Sequence, residues 1–163
     1  MKRFIFLFLL VSYAISTELP AQSSRQEVML KKINKLRSKG CVCQDRFMPP
    51  VAPLEWSSTL MTSALYHAED MKEKDYFSHY SPTGKDIGDR IDEVGYSWSY
   101  CGENLGSRQR TFDEVMRDWI ESKTHCMMLM NPEVEEVAVA KAGIYWVQHF
   151  GKRFDRNIVP SNE

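Results

Sequence analysis

Apolar residues recur every three or four positions through the first two thirds of the chain and then every second position near its end. Behind Ser23-Ser24, Met29, Ile33 and Leu36 are spaced by four and three, which predicts a first helix that stops at Gly40, where a residue without a Cβ turns the chain easily. The crossing Pro49-Pro50-Val51-Ala52-Pro53 then breaks any helix, and Ser57 supplies a side-chain cap for the next one. From Ser58 to about Lys74, the residues Leu60, Met61, Ala64, Leu65, Ala68 and Met71 form one apolar stripe, with Glu69, Asp70 and Glu73 away from it. Lys85 to Val94 predicts a short helix closed by Gly95, with Ile87, Ile91 and Val94 inward. Thr111 caps a third long helix whose face is Phe112, Val115, Met116, Trp119 and Ile120, and Glu114 completes a capping box.

Period two appears at Tyr96-Ser97-Trp98-Ser99-Tyr100, a half-buried strand that delivers Glu103 near its end. Two more strands are expected over Val134 to Ala140 and Gly143 to Gly151, joined antiparallel through Lys141-Ala142. In the last of these, Tyr145, Val147 and His149 share one face and Ile144, Trp146, Gln148 and Phe150 the other. His149 is expected to face solvent, and His67, on the flank of the second helix's stripe, to be a structural residue at the edge of the core.

The ends change the picture of where this domain works. Lys2 and Arg3 precede an apolar run from Phe4 to Val11, and Ala14 and Ser16 supply the small residues of a cleavage site, so Met1 to Ser16 reads as a signal peptide. The run is shorter than the roughly 20 residues of a membrane span, and no transmembrane segment is expected in the mature chain. The expected organisation is a signal peptide over 1–16, a linker over 17–27, one domain over 28–151 and a tail over 152–163, in a secreted or periplasmic monomer. Cleavage leaves 147 of 163 residues, enough for one core, and 19 basic against 22 acidic side chains, a net charge of −3. Without clustered Lys and Arg, nucleic acid is excluded as a partner class.

Export makes disulfides the default for Cys41, Cys43, Cys101 and Cys126. A Cys41–Cys43 bridge closes a very small ring, which leaves the two arrangements joining that pair to Cys101 and Cys126. The rival reading is a zinc site from Cys41, Cys43, Cys126 and His125, although Cys-x-Cys is tighter than structural zinc pairs usually are.

The polar residues that could converge are His79, in the irregular Tyr76 to Gly84 segment, Glu103, and His125, just past the helix that carries Trp119. Two imidazoles and a carboxylate can bind a cation, move a proton or hold a polar ligand. Phe77-Ser78-His79, the Arg90 to Tyr96 stretch, Gly102-Glu103-Asn104-Leu105, Trp119 with Ser122 and His125, Asn131-Pro132 and Tyr145 to Gly151 together resemble the bacterial, SCP-like branch of the CAP superfamily, which includes cysteine-rich secretory proteins, antigen 5 and plant pathogenesis-related proteins. The resemblance runs from about Val28 to Gly151. It implies an α+β fold, a three-layer α/β/α sandwich with a small antiparallel sheet between helices. It also implies that His79 and Glu103 match the first histidine and first glutamate of the cleft found in eukaryotic members. Ser122 stands where those members have the second glutamate and Tyr145 where they have the second histidine. The bacterial Ser-Pro-Gly-His reads Ser122-Lys123-Thr124-His125 here, so the expected site is a His79/Glu103/His125 triad with Ser122, Asn104 and Tyr145 around it.

Two imidazoles and one carboxylate suit zinc or another divalent cation with an open position, but the triad lacks the short-range ligand pair of a strong zinc motif. A general-base pair acting on water or on Ser122 is the catalytic alternative, a metal-dependent, protease-like hydrolase. The sequence has no nucleophile elbow and no glycine-rich anion loop. The favoured expectation is therefore an extracellular module that binds a small hydrophobic or extended ligand in a cleft lined by aromatic residues such as Tyr96, Trp98 and Tyr145.

Overall fold

A computed structural model describes residues 19–154; the expected signal peptide and most of the expected tail lie outside the described residues. Helix α1 spans Leu19–Lys39, so the segment expected as a linker is helical from Leu19 on, and Gly40 ends it with φ +70°. A short hairpin follows, β1 (Cys41–Cys43) with β2 (Arg46–Met48), then β3 (Glu55–Trp56). Helix α2 covers Ser58–Lys74, with the Ser57 hydroxyl accepting from the Leu60 amide as its spacing predicts. Helix α3 is Ile87–Glu93, and its capping box is built by Asp86 and Asp89. Strand β4 (Trp98–Ser107) is long, and helix α4 (Phe112–Glu121) is capped by Thr111. The Glu114 carboxylate accepts from the Arg110 amide, one residue before the position a capping box requires. A helix not expected from the sequence, α5 (Lys123–Leu129), carries His125, which therefore lies on a helix and not past one. Strands β5 (Glu136–Ala142) and β6 (Tyr145–Arg153) meet through Gly143-Ile144, two residues later than Lys141-Ala142. Gly143, at φ +58°, supplies the left-handed first position of that turn.

The main sheet runs in the order β3-β5-β6-β4. Its three long strands are antiparallel, and the two-residue β3 joins β5 in parallel. Side-chain alternation assigns the layers. Val137, Val139, Trp146 and Phe150 pack with Met29 and Ile33 of α1, Val115, Met116 and Trp119 of α4 and Leu129 of α5. Ala138, Ala140, Tyr145, Val147 and Leu105 pack on the other face with Leu60, Ala64, Ala68 and Met71 of α2 and Ile91 of α3. The architecture is the expected α/β/α sandwich. Because β6 is central, Tyr145 to Gly151 are buried on both faces, so His149 is fully buried where solvent exposure was expected.

One buried cation stitches the layers. Arg37, at the end of α1, donates to the carbonyls of Ala52 (2.8 Å), Leu129 (2.8 Å) and Asn131 (3.0 Å). It thereby closes the C-terminal end of α5 onto the proline-rich crossing, and burial lowers its pKa to about 10.

Candidate functional site

The Gly-Glu-Asn-Leu-Gly run on β4 sends alternate residues to opposite faces of the sheet. Gly102 and Gly106 let helices approach closely. A Cβ on Gly102 would meet Met128 Sδ of α5 at 2.4 Å, and one on Gly106 would meet Val115 Cγ2 of α4 at 2.5 Å. Between them Asn104, buried, donates to Gln148 Oε1 (3.1 Å) and to the His125 carbonyl (3.2 Å). Asn104, expected around the cleft, thus holds the backbone of α5 instead of lining an open site. Trp119 Nε1 donates to the Leu105 carbonyl at 2.8 Å, fixing α4 to the same strand.

On the other face, pairing of β4 with β6 sets Glu103 directly opposite His149. His149 Nε2 bonds Glu103 Oε2 at 2.8 Å and His79 Nδ1 bonds Glu103 Oε1 at 2.6 Å. His67 Nε2 lies 3.6 Å and Arg90 Nη2 3.5 Å from Oε2. Arg90 also donates to the carbonyls of Lys85 (2.8 Å) and His79, so it ties the loop that presents His79 to the base of α3. The Glu103 side chain is 2 % exposed and that of His79 53 %. Burial would raise the Glu103 pKa, but hydrogen bonds from His149 and His79, with the charges of His149 and His67, outweigh it and hold the carboxyl well below its usual range. The same hydrogen bond raises the His79 pKa against the opposing effect of partial burial. His67 goes the other way: burial outweighs the attraction of Glu103 and lowers its pKa to about 4.

His125 is brought near this group without bonding to Glu103. Its pKa is lowered, first by burial and then by the charge of His79. Ser122 precedes α5, and its hydroxyl lies 3.5 Å from Thr124 Oγ1; no bond to an imidazole prepares it as a nucleophile. Tyr145 is buried, with its ring stacked 6.2 Å from that of Phe77 and its hydroxyl donating to Asp75 Oδ1 at 3.4 Å. Tyr96, expected to line the cleft, is core: its ring covers Gly151, under the Arg153 guanidinium at 4.1 Å. Trp98 is turned to Asp92, to which its Nε1 donates at 2.9 Å.

The sequence therefore led to His79 and Glu103 as bonded partners and to His125 as their neighbour, and it missed the buried partners His67, His149 and Arg90. A signal for His149 was present: both faces of Tyr145 to Phe150 carry large apolar residues, the mark of a strand covered on both sides. As to a divalent cation, both Glu103 oxygens are committed to histidines, which does not suit Glu103 as a direct ligand. Glu103 instead orients the His79 ring through Nδ1. Among the described residues, the three ligand atoms found mutually within 4.8 Å are the sulfurs of Cys41, Cys43 and Cys126.

Those sulfurs bear out the cysteine expectation in one bond and correct it in the other. One disulfide forms, Cys43–Cys126, while Cys41 and Cys101 are free thiols. Cys101 lies on β4 among Leu60, Ile91, Tyr96 and Ala138, beneath α2 and α3. Cys43 and Cys126 pack instead with Met130 and Leu36, so Cys101 belongs to a different cluster.

Among the described residues, cavities open away from His79, Glu103 and His125. One of about 860 Å³ is lined by Met29, Lys32, Met61, Leu65, Phe112 and Trp146 among others. One of about 360 Å³ lies beside His67, Arg90, Ser81 and Tyr66. Neither is lined by His79, Glu103 or His125.

Compared with known families, residues 30–150 match the cysteine-rich secretory protein family, CAP. An uncharacterized protein of Bacillus subtilis strain 168, YkwD, is 32% identical over 137 residues, which is 83% of this chain and 50% of that protein. The chain spans half that relative's length. Among solved structures, an extracellular SCP-domain protein of Bacillus anthracis matches with a TM-score of 0.70 at 23% identity, covering 87% of this chain and 45% of that one. An outer surface protein of Borrelia burgdorferi matches with a TM-score of 0.66 at 23% identity, covering 78% of this chain and 91% of that one. At these identities the structures bear on fold alone.

Proposed function

The chain belongs to the CAP family, and from that premise we propose that it is an exported binding module whose recognition edge is formed by His79 and His125. The commitment of Glu103 carries this reading. A carboxylate already bonded by His79 and His149 and faced by Arg90 has no lone role as a base, while Ser122 has no activating partner. What the cluster does instead is fix the exposed His79 ring through Nδ1, at low cost in ordering when something binds. Phe77 and Tyr80, both exposed on the same loop, extend that edge with aromatic surface for an extended ligand. Export is supported by the N-terminal signal pattern and by matched proteins whose names describe extracellular and outer-surface proteins.

A small hydrophobic ligand finds its volume elsewhere, in the 860 Å³ cavity between α1, α2 and the start of α4, whose Met29, Met61, Leu65 and Trp146 walls meet Lys32, Arg110 and Lys141. The metal-dependent hydrolase is the alternative, using the same His79 and His125 imidazoles beside Glu103. Native mass spectrometry of the secreted protein, with and without chelator, separates these readings. Under binding at the edge, His79→Ala abolishes capture of a ligand that Leu65→Trp leaves bound. A co-purified lipid lost only in Leu65→Trp assigns binding to the cavity, and hydrolysis abolished by chelator and restored by zinc would replace binding with catalysis.

A further inference from the structure

The third sulfur beside the disulfide is placed there by strand geometry. Cys41 and Cys43 are two residues apart on β1, so their side chains leave the same face while Val42 points out to solvent, 58% exposed. Gly40 makes this possible: its φ of +70° turns the chain straight from α1 into β1, and any Cβ there would lie 2.6 Å from the Met48 carbonyl oxygen. Both sulfurs of β1 therefore face Cys126 on α5. Cys41 Sγ lies 3.5 Å from Cys126 Sγ and 3.8 Å from Cys43 Sγ, in van der Waals contact with both ends of the bond.

We infer that Cys41, Cys43 and Cys126 form a thiol–disulfide exchange site in which the bond to Cys126 migrates between Cys43 and Cys41. The Cys41 thiolate attacks Cys126 Sγ; a Cys41–Cys126 bond forms, the Cys43–Cys126 bond breaks, and Cys43 leaves with the electron pair and takes up the proton that Cys41 released. Electrons and atoms balance within the three residues, so no outside oxidant or reductant enters. The near-equal distances put Cys41 beside the S–S bond, so a side-chain rotation must first bring it in line. The hairpin is short and edged by the exposed Val42 and Phe47, which leaves room for that movement.

The two isomers differ in chemistry and in mechanics. With the bond at Cys43, the free thiol is the half-buried Cys41; with the bond at Cys41, it is the fully buried Cys43. Exchange thus withdraws an accessible thiol without changing the oxidation state. It also moves the tether of α5 by two residues along β1, at the residue adjacent to His125.

Mass spectrometry of the native protein tests this. After incubation at pH 8.5, where more of the Cys41 thiol is ionised, the protein is quenched in acid, unfolded in acidic urea so that the buried Cys43 is also reachable, labelled with a maleimide and digested with trypsin. Cys41 and Cys43 share one tryptic peptide, residues 40–46, and fragmentation across Val42 distinguishes them. The expected result is label on Cys41 in some molecules and Cys43 in others, with Cys126 linked throughout. Label confined to Cys41 would overturn the proposal, as would a folded Cys43→Ser protein in which Cys41 and Cys126 both react. If Cys43→Ser does not fold, the wild-type labelling decides alone, and Cys41→Ser, which keeps the observed bond, is the control. The functional consequence rests on the reading of His125 given above and is measured separately: its imidazole resonance should differ between Cys41→Ser and Cys43→Ser, whatever ligand the protein binds.

Discussion

On one face of β4, Gly102, Asn104 and Gly106 lie under α4 and α5; on the other, Glu103 and Leu105 lie under α2. The first face is joined by close approach and neutral hydrogen bonds. The second buries a carboxylate among three imidazoles and a guanidinium. A neutral pair such as Asn104 and Gln148 adds a modest net stabilisation, and its loss leaves one polar partner unmet. A buried ion cluster is expensive to desolvate, and it tolerates the loss of its central charge far less than the loss of the whole. The difference teaches where this fold concentrates risk: the residue that organises the candidate site is also the one whose removal strands the most buried charge.

The largest expected effect follows from that asymmetry. Glu103→Ala should cost about 3–5 kcal/mol, because Arg90 and His79 lose their counter-charge and His149 loses its hydrogen-bond partner in a dry site. Asn104→Ala should cost about 1–3 kcal/mol, the penalty of a buried amide left unpaired on Gln148. Urea denaturation of both variants measures the pair. An Asn104→Ala loss larger than that of Glu103→Ala would reverse the comparison.

Acid sharpens it further. Burial keeps the folded His67 neutral down to about 4, against 6.5 for an ordinary imidazole, so below about pH 6.5 the unfolded chain takes a proton that the folded one refuses. His67's contribution is thus level above pH 6.5 and declines as pH falls toward 4. Glu103 continues the loss. Its contribution is complete above the ordinary value of 4.5 and disappears as pH falls through its depressed folded value. Stability should therefore fall by about 1 kcal/mol per pH unit between pH 6 and 4.5, the scale of one differential proton. His67→Gln should flatten that slope, as measured by urea midpoints at pH 7.5, 6 and 4.5. A slope unchanged by the substitution would show that the acid sensitivity lies outside this face.

These contrasts explain what could be read from the residues alone. The layers were legible because Met29 and Ile33, the α2 stripe and the α4 face each carry helical periodicity strong enough to place a helix. The hairpin at Cys41–Met48, the two-residue β3 and the seven-residue α5 were not, since elements of two to seven residues contain too little periodicity to distinguish helix or strand from turn. His79, Glu103 and His125 emerged as polar residues at element ends, and motif resemblance then supported them. His149 and His67 did not, because their burial depends on which strand is central and which helix covers it, a property of pairing and not of local pattern. The Cys101 expectation failed for a related reason: even cysteine counts say nothing about which sulfurs tertiary packing brings within bonding distance.

The smallest expected effect concerns the two histidines at the exposed edge. His79 is held toward its charged form by the hydrogen bond to Glu103. Its contribution to stability is therefore full below about pH 6.5 and is lost as pH rises through its raised folded value, the opposite sense to His67. Because the ring is half exposed, the effect is better read from its titration than from unfolding. Glu103→Gln should lower the His79 pKa, since a neutral amide no longer favours the imidazolium. His79→Asn should raise the His125 pKa, but only part of the way back to 6.5, because burial is the larger cause of its depression and the charge of His79 the smaller. NMR titration of the Hε1 resonances reads both. A His125 pKa that returns fully to 6.5 in His79→Asn would mean that repulsion between the rings, and not burial, sets its value. A value that does not move at all would separate His125 from the recognition edge and leave His79 as its sole imidazole.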